Sequence, residues 1–128
     1  MTATEIGNMG EDAVCAYLEN LNYQIIDRNF RIRGGEIDII AVKSDELCFV
    51  EVKTRSLNSL TTGIEAVDYG KKKRIIKTAH HYCEKYHFDE DDWYFRYDIA
   101  EVTIMRNKII KIDYLENAFD ETNFHDNS

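Results

Sequence analysis

Apolar residues near the start of the chain recur every three or four positions, at Ile6, Gly10, Ala13, Val14, Tyr17, Leu18 and Leu21. That spacing predicts an amphipathic helix over Glu5–Asn22. Ile25, Ile26, Phe30 and Ile32 then suggest an extended strand within Tyr23–Arg33, closed by the turn signal Gly34-Gly35. Glu36–Val42 and Leu47–Thr54 are rich in β-branched and apolar residues and flank the polar tetrad Lys43-Ser44-Asp45-Glu46, a hairpin pattern. Small polar residues over Ser56–Gly63 predict a loop. Helical spacing returns over Tyr69–Tyr86, with Ile75, Ile76, Ala79, Tyr82, Cys83 and Tyr86 inward. The acidic stretch Phe88–Asp92 leads to a strand over Trp93–Thr103. After the turn Arg106-Asn107 comes a last strand, Lys108–Tyr114. The order αβββαββ predicts one α/β domain, residues 1–115, with helices packed on a central sheet. Residues 116–128 are expected to form a polar, frayed tail.

The hairpin carries the informative chemistry. A loop of two residues or of four gives the same antiparallel register, with Val42 facing Leu47, Ile40 facing Phe49, Asp38 facing Glu51 and Glu36 facing Lys53. Side chains alternate, so Glu36, Asp38, Glu51 and Lys53 project from one face. The opposite face, at Ile37, Ile39, Ala41, Cys48, Val50 and Val52, is apolar. The charged face is itself apolar farther along, at Ile40, Val42, Leu47 and Phe49, as expected of central strands buried on both sides. The charges therefore converge on one partly desolvated spot. Opposed carboxylates repel unless one is protonated or a cation lies between them. Hard oxygen ligands favour Mg²⁺ or Mn²⁺. A salt-bridge cluster in which Lys53 and Arg55 balance the acids explains the pattern equally well. Glu11, at the edge of the first helix's apolar stripe, can be aimed at the same spot or can be a solvated flank residue.

The chain has 128 residues, enough to bury a core without disulfides. Its net charge of −8 argues against indiscriminate nucleic-acid binding. The acidity is local, however. Residues 1–86 carry 12 Lys+Arg against 13 Asp+Glu, and residues 87–128 carry 4 against 11. Basic clusters at Arg28–Arg33 and Lys71–Arg74 keep a nucleic-acid partner open. Lys71, Lys72, Lys73 and Arg74 open the second helix, where helix-end N–H groups attract phosphate. Cations there oppose the helix dipole, which favours a functional reason for them over a solvated helix start. Three scattered cysteines, Cys15, Cys48 and Cys83, offer neither a zinc motif nor a disulfide framework and fit reduced thiols of a cytoplasmic protein. No signal peptide or membrane span is expected.

The runs Gly35-Glu36-Ile37-Asp38-Ile39-Ile40 and Phe49-Val50-Glu51-Val52-Lys53-Thr54-Arg55 resemble the D…ExK core of PD-(D/E)xK nucleases. With Gly10-Glu11 and Arg96-Tyr97-Asp98, the chain resembles the YraN-like family of uncharacterised bacterial endonuclease-like proteins over about residues 7–115. That resemblance implies a restriction-endonuclease-like three-layer domain, a mixed central sheet flanked by helices, similar to archaeal Holliday-junction resolvases. It implies that Asp38 and Glu51 bind Mg²⁺ or Mn²⁺ with the Val52 carbonyl, and that Glu11 completes the cluster. It implies that Lys53 acts on the attacking water or on the scissile phosphate. Ile37 stands where the motif's name has proline, a position that varies widely in the superfamily.

These readings predict a metal-dependent nuclease with Asp38, Glu51, Lys53 and Glu11 in the site and Glu36 in support. Arg55, Lys71, Lys72, Lys73 and Arg74 would contact nucleic acid, DNA ahead of RNA and branched or structured DNA in particular. A homodimer is an allowed assembly. The competing reading is a non-catalytic nucleic-acid- or protein-binding module on the same fold. Intact Asp38, Glu51 and Lys53 favour the enzyme, and the net charge favours the binder. His80 and His81 diverge on one helix and make a poor metal pair. Asp98 suggests a structural partner for Arg96.

Overall fold

The first helix starts where its capping residues allow. In the computed structural model, which describes residues 1–57 and 67–124, helix α1 spans Ala3–Asn20. Thr2 Oγ1 accepts the Glu5 N–H at 3.1 Å, and the Glu5 carboxylate accepts the Thr2 N–H at 3.1 Å. Two donors that the helix cannot satisfy internally are thereby paired. Leu21, expected on the apolar stripe, follows the helix and is 44% exposed, whereas Cys15 is buried in its place.

Strands β1 (Gln24–Ile32), β2 (Gly35–Lys43) and β3 (Glu46–Ser56) follow, then helix α2 (Tyr69–Tyr86) and strands β4 (Tyr94–Met105) and β5 (Lys108–Phe119). A short 3-10 turn covers Glu121–Phe124. From residue 58 onward, the loop expected over Ser56–Gly63 lies outside the described residues, as does 125–128 of the expected tail. The sheet order is β1-β2-β3-β4-β5. Only the β3–β4 pairing is parallel, and the other neighbours are antiparallel. Parallel neighbours need a crossover, and α2 lies on it.

The β2–β3 register agrees with the expected one over the paired residues, from Lys43↔Glu46 through Val42↔Leu47 and Ile40↔Phe49 to Ile39↔Val50. The turn is Ser44-Asp45, with Ser44 at φ 54°. The helices cover opposite faces. Val14, Cys15 and Leu18 of α1 pack with Ile39, Ala41, Cys48, Val50, Ala100 and Val102. Ile75, Ala79 and Tyr82 of α2 pack with Ile40, Leu47, Phe49 and Tyr97. This is the three-layer α/β arrangement, and burial of both sheet faces is why the central strands carry almost unbroken apolar runs.

Ile37 departs from simple alternation. It was expected on the face of Ile39 and Ala41, but it packs in the α2-side cluster. The β2–β3 ladder has ended at Ile39, and Ile37 pairs instead with Phe30 of β1. The last strand also runs beyond the expected boundary at residue 115. β5 continues to Phe119, which is buried against Tyr97 with ring centroids 5.3 Å apart. Residues 116–119 are therefore part of the packed sheet.

On β4, between β3 and β5, Asp98 is fully buried. It accepts from Arg96 Nε at 3.0 Å, from the Tyr114 hydroxyl at 2.5 Å and from the Asn117 N–H at 2.8 Å. Arg96 also donates to the Tyr23 hydroxyl at 2.5 Å. A buried carboxylate this fully partnered ties β4 to β5 and, through Arg96, to Tyr23 in the turn after α1, which is the structural role expected of it. All three cysteines are buried and free, and burial pushes the Cys48 and Cys83 thiols up to about 12, so they behave as small apolar side chains. Among the described residues, no helix is long and apolar enough to cross a membrane.

Candidate active site

The sheet opens where β2 and β3 part. Beyond Ile39↔Val50, β3 keeps its ladder with β4, from Glu51↔Ile99 to Ser56↔Ile104, and β2 keeps its ladder with β1. Asp38 and Glu51 were expected to face each other as a ladder pair. Instead the Asp38 carboxylate takes over the ladder's role, with Oδ2 accepting the Val52 N–H at 2.8 Å. The alternation of each strand still turns both carboxylates into one cleft of about 370 Å³. That cleft is lined by Arg31, Ile32, Gly35, Glu36, Asp38, Glu51, Lys71, Arg74 and Ile75.

Two glycines set how closely the helices approach this opening. A Cβ on Gly10 would meet Thr54 Oγ1 at 2.0 Å and Thr54 Cβ at 3.1 Å, so the α1 backbone lies directly against a β3 side chain. That crossing seats the next residue, Glu11, over the charged end of the sheet. A Cβ on Gly35 would meet Thr78 Oγ1 at 2.0 Å and the Arg74 carbonyl at 3.2 Å. The first turns of α2 are thus pressed against the start of β2.

The cleft carries three carboxylates, Glu36, Asp38 and Glu51, and three cations, Arg31, Lys71 and Arg74, and burial sets its electrostatics. Burial is the main cause that lifts the Asp38 pKa to about 7. The Glu51 charge adds to it, the Val52 N–H opposes it, and Glu11 and Glu36 add smaller repulsions. Glu51, 6% exposed, is answered by Lys71, whose Nζ lies 2.7 Å from Oε1. Burial, the largest influence on Lys71, disfavours its ammonium, but the bond to Glu51 and the charges of Glu51 and Asp38 outweigh it and raise its pKa. Glu11 Oε1 is buried with no hydrogen-bond partner. Arg28 stands 3.6 Å from it and makes its closer contact, 2.8 Å, with Asp12.

The expected residues are distributed as follows. Asp38 and Glu51 share the cleft, and Glu11 is near enough for its charge to act on Asp38. Lys53 is half-buried on β3, close enough to Lys71 to act on its charge, and Arg55 is exposed two residues on. Glu36 does not face Lys53. It pairs with Arg31 of β1 at 3.2 Å, because β1 and not β3 is its neighbour at that point. The basic helix start is divided. Lys71 is turned inward to Glu51, and Arg74 lines the cleft. Lys72 lies over the Phe119 ring at 5.7 Å and Lys73 over the Tyr69 ring at 5.3 Å. His80 is paired with Glu121.

Sequence reasoning missed Arg31 as a cleft residue and missed the inward role of Lys71. A signal for the second existed: Lys71 lies four residues before Ile75 and so continues the apolar stripe of α2.

A hard divalent cation suits this donor set in its chemistry. It would satisfy the orphaned Glu11 oxygen and neutralise the charge that Asp38 holds at a cost. The carboxylates are not gathered for it, however. Among the described residues, no three His, Cys, Asp or Glu side chains stand together closely enough to hold a metal ion. Glu51 is turned to Lys71, and Asp38 is engaged with Val52.

Residues 10–102 match the profile of a family described as Uncharacterised protein family UPF0102. A UPF0102 protein of Alkaliphilus oremlandii is 45% identical over 115 residues, covering 90% of this chain and 97% of the relative. One of Geobacter sulfurreducens is 41% identical over 115 residues, covering 90% and 88%. One of Clostridium botulinum is 40% identical over 118 residues, covering 90% and 94%.

Proposed function

The chain belongs to the uncharacterised family UPF0102, and we propose that it is a divalent-metal-dependent nuclease that hydrolyses phosphodiester bonds in DNA, branched or structured DNA in particular. The observation that carries this reading is the cleft that Asp38 and Glu51 share, where burial first and the Glu51 charge second make an ionised Asp38 costly to hold. A protein that needed only a stable sheet would lose nothing by placing apolar residues there, since buried ionic groups seldom add net stability. Asp38, Glu51, Glu11 and the Val52 carbonyl are the groups that would hold Mg²⁺ or Mn²⁺. The bound cation would supply Lewis acidity towards a phosphoryl oxygen and towards the attacking water. Lys53, two residues after Glu51, would orient the attacking water or face the charge growing on the phosphate. Arg74 and Arg31 in the cleft and Arg55, Lys72 and Lys73 around it draw in the nucleic-acid backbone. Glu36 supports the site by holding Arg31.

The test is a cleavage panel of linear, nicked, flapped and four-way DNA and structured RNA, with Mg²⁺ and with Mn²⁺. The wild type is expected to cut at least one DNA substrate only with metal. Lys53→Ala should then lose at least about 100-fold in rate while keeping metal binding and most nucleic-acid affinity. A pure preparation that cuts nothing but binds one substrate establishes the binding-module reading, which the net charge of −8 favours. Cleavage by Lys53→Ala at the wild-type rate removes Lys53 from the mechanism.

A further inference from the structure

Lys71 is placed where a cation at a helix start is least expected. It sits in the first turn of α2, beside the Asp68 cap, where unpaired N–H groups already present positive charge. What offsets that repulsion is the Glu51 carboxylate, 2.7 Å from Nζ and almost wholly shielded from water. The helix cannot drift to loosen the contact, because Gly35 lets Thr78 and the Arg74 carbonyl close directly on β2. The ammonium itself is free to move. Its side chain is 36% exposed, lines the cleft and is carried on a flexible four-carbon stem.

We infer that Lys71 is a built-in counter-ion that competes with the divalent cation for Glu51. It occupies the carboxylate while the site is metal-free, and it withdraws into the cleft on metal loading, where it meets the substrate phosphate. The inference rests on the metal-dependent reading given above. It accounts for two features together: among the described residues the carboxylates do not stand closely enough to hold a metal ion, and the Glu51 carboxylate, 6% exposed, is held by a lysine. It also makes metal loading and phosphate binding mutually supportive, since the group released by the first is the group used by the second.

The test is calorimetric titration of the full chain with Mn²⁺, comparing wild type, Lys71→Gln, Lys71→Arg and Arg74→Gln. Lys71→Gln deletes the competitor and should bind Mn²⁺ about fivefold to tenfold more tightly, the scale of one half-exposed charge-assisted contact. Its metal-free melting temperature should fall and its rise on adding Mn²⁺ should exceed that of the wild type, because Glu51 is left buried and unpaired. Lys71→Arg grips the carboxylate with a fork and should bind Mn²⁺ more weakly than wild type, a prediction that survives if Lys71→Gln fails to fold. Arg74→Gln removes the same charge from the same cleft without touching Glu51 and should change the affinity by less than about twofold. Equal tightening in Lys71→Gln and Arg74→Gln overturns the inference and leaves the metal site standing. So does Mn²⁺ affinity in Lys71→Arg at or above that of the wild type. Absence of Mn²⁺ binding in the wild type and all variants overturns the metal-dependent reading and the inference with it.

Discussion

Replacing Asp38 with Asn should make the metal-free protein more stable, by an amount that depends on pH in a definite sense. The amide oxygen of Asn can still accept the Val52 N–H that Asp38 accepts at 2.8 Å, so the variant removes charge and little else. Asp38 titrates near pH 7 in the fold, against 3.8 for the free side chain. Between those values the native state holds a proton that the unfolded chain has released, so stability falls as pH rises. The slope is about 1.4 kcal/mol per pH unit, and the penalty reaches its full size above pH 7. The full shift corresponds to about 4 kcal/mol, and sharing of the charge among Asp38, Glu51 and Lys71 reduces the expected gain in Asp38→Asn to about 2–4 kcal/mol at pH 8. Near pH 4 the gain should vanish. Urea denaturation of wild type and variant at pH 4, 6 and 8 with a chelator measures it. The difference between the two proteins cancels the general self-repulsion of an acidic chain. Added Mn²⁺ should stabilise the wild type and not the variant. A variant no more stable than wild type at pH 8, or a gain that grows towards low pH, refutes the idea that an ionised Asp38 is held at a cost.

Exchanging both Lys72 and Lys73 for Ala should weaken binding to every nucleic-acid sequence alike and reduce the salt slope by up to about 2, as counted by filter binding across salt concentrations. The lost Lys72–Phe119 contact should cost about 0.5–1 kcal/mol of stability. The glycines of α1 should differ in sign. Gly7→Ala meets nothing within 4 Å and should stabilise by about 0.5–1 kcal/mol, whereas Gly10→Ala collides with Thr54 and should destabilise by about 1 kcal/mol or more after the same helical gain is subtracted. Chemical denaturation decides between them, and equal stabilisation by both would mean that the α1–β3 approach is looser than described.

The local features of this protein are written in its sequence. Two strands of period-two alternation joined at a polar tetrad put Ile40 beside Phe49 and Val42 beside Leu47, whether the loop has two residues or four. The same alternation turns Asp38 and Glu51 to one side, and the limits of α2, Tyr69 and Tyr86, follow from its helical spacing. The runs around Asp38 and Glu51, taken with Gly10-Glu11 and Arg96-Tyr97-Asp98, carried the resemblance to the family that the profile match shows.

Tertiary packing decided which charges meet. Asp38 bonds Val52 and not a ladder partner because β2 and β3 separate, one held by β1 and the other by β4. Glu36 belongs to Arg31 for the same reason. Lys71 reaches Glu51 only because α2 is docked on β2 through Gly35, and Glu11 reaches the cluster only because Gly10 lets α1 touch β3. Phe119 keeps the chain in the sheet past the point where its composition turns polar. Periodicity specifies the face a side chain takes on its own element. The partner it finds there depends on which elements pack together and how closely, and that is settled by contacts between residues far apart in the chain.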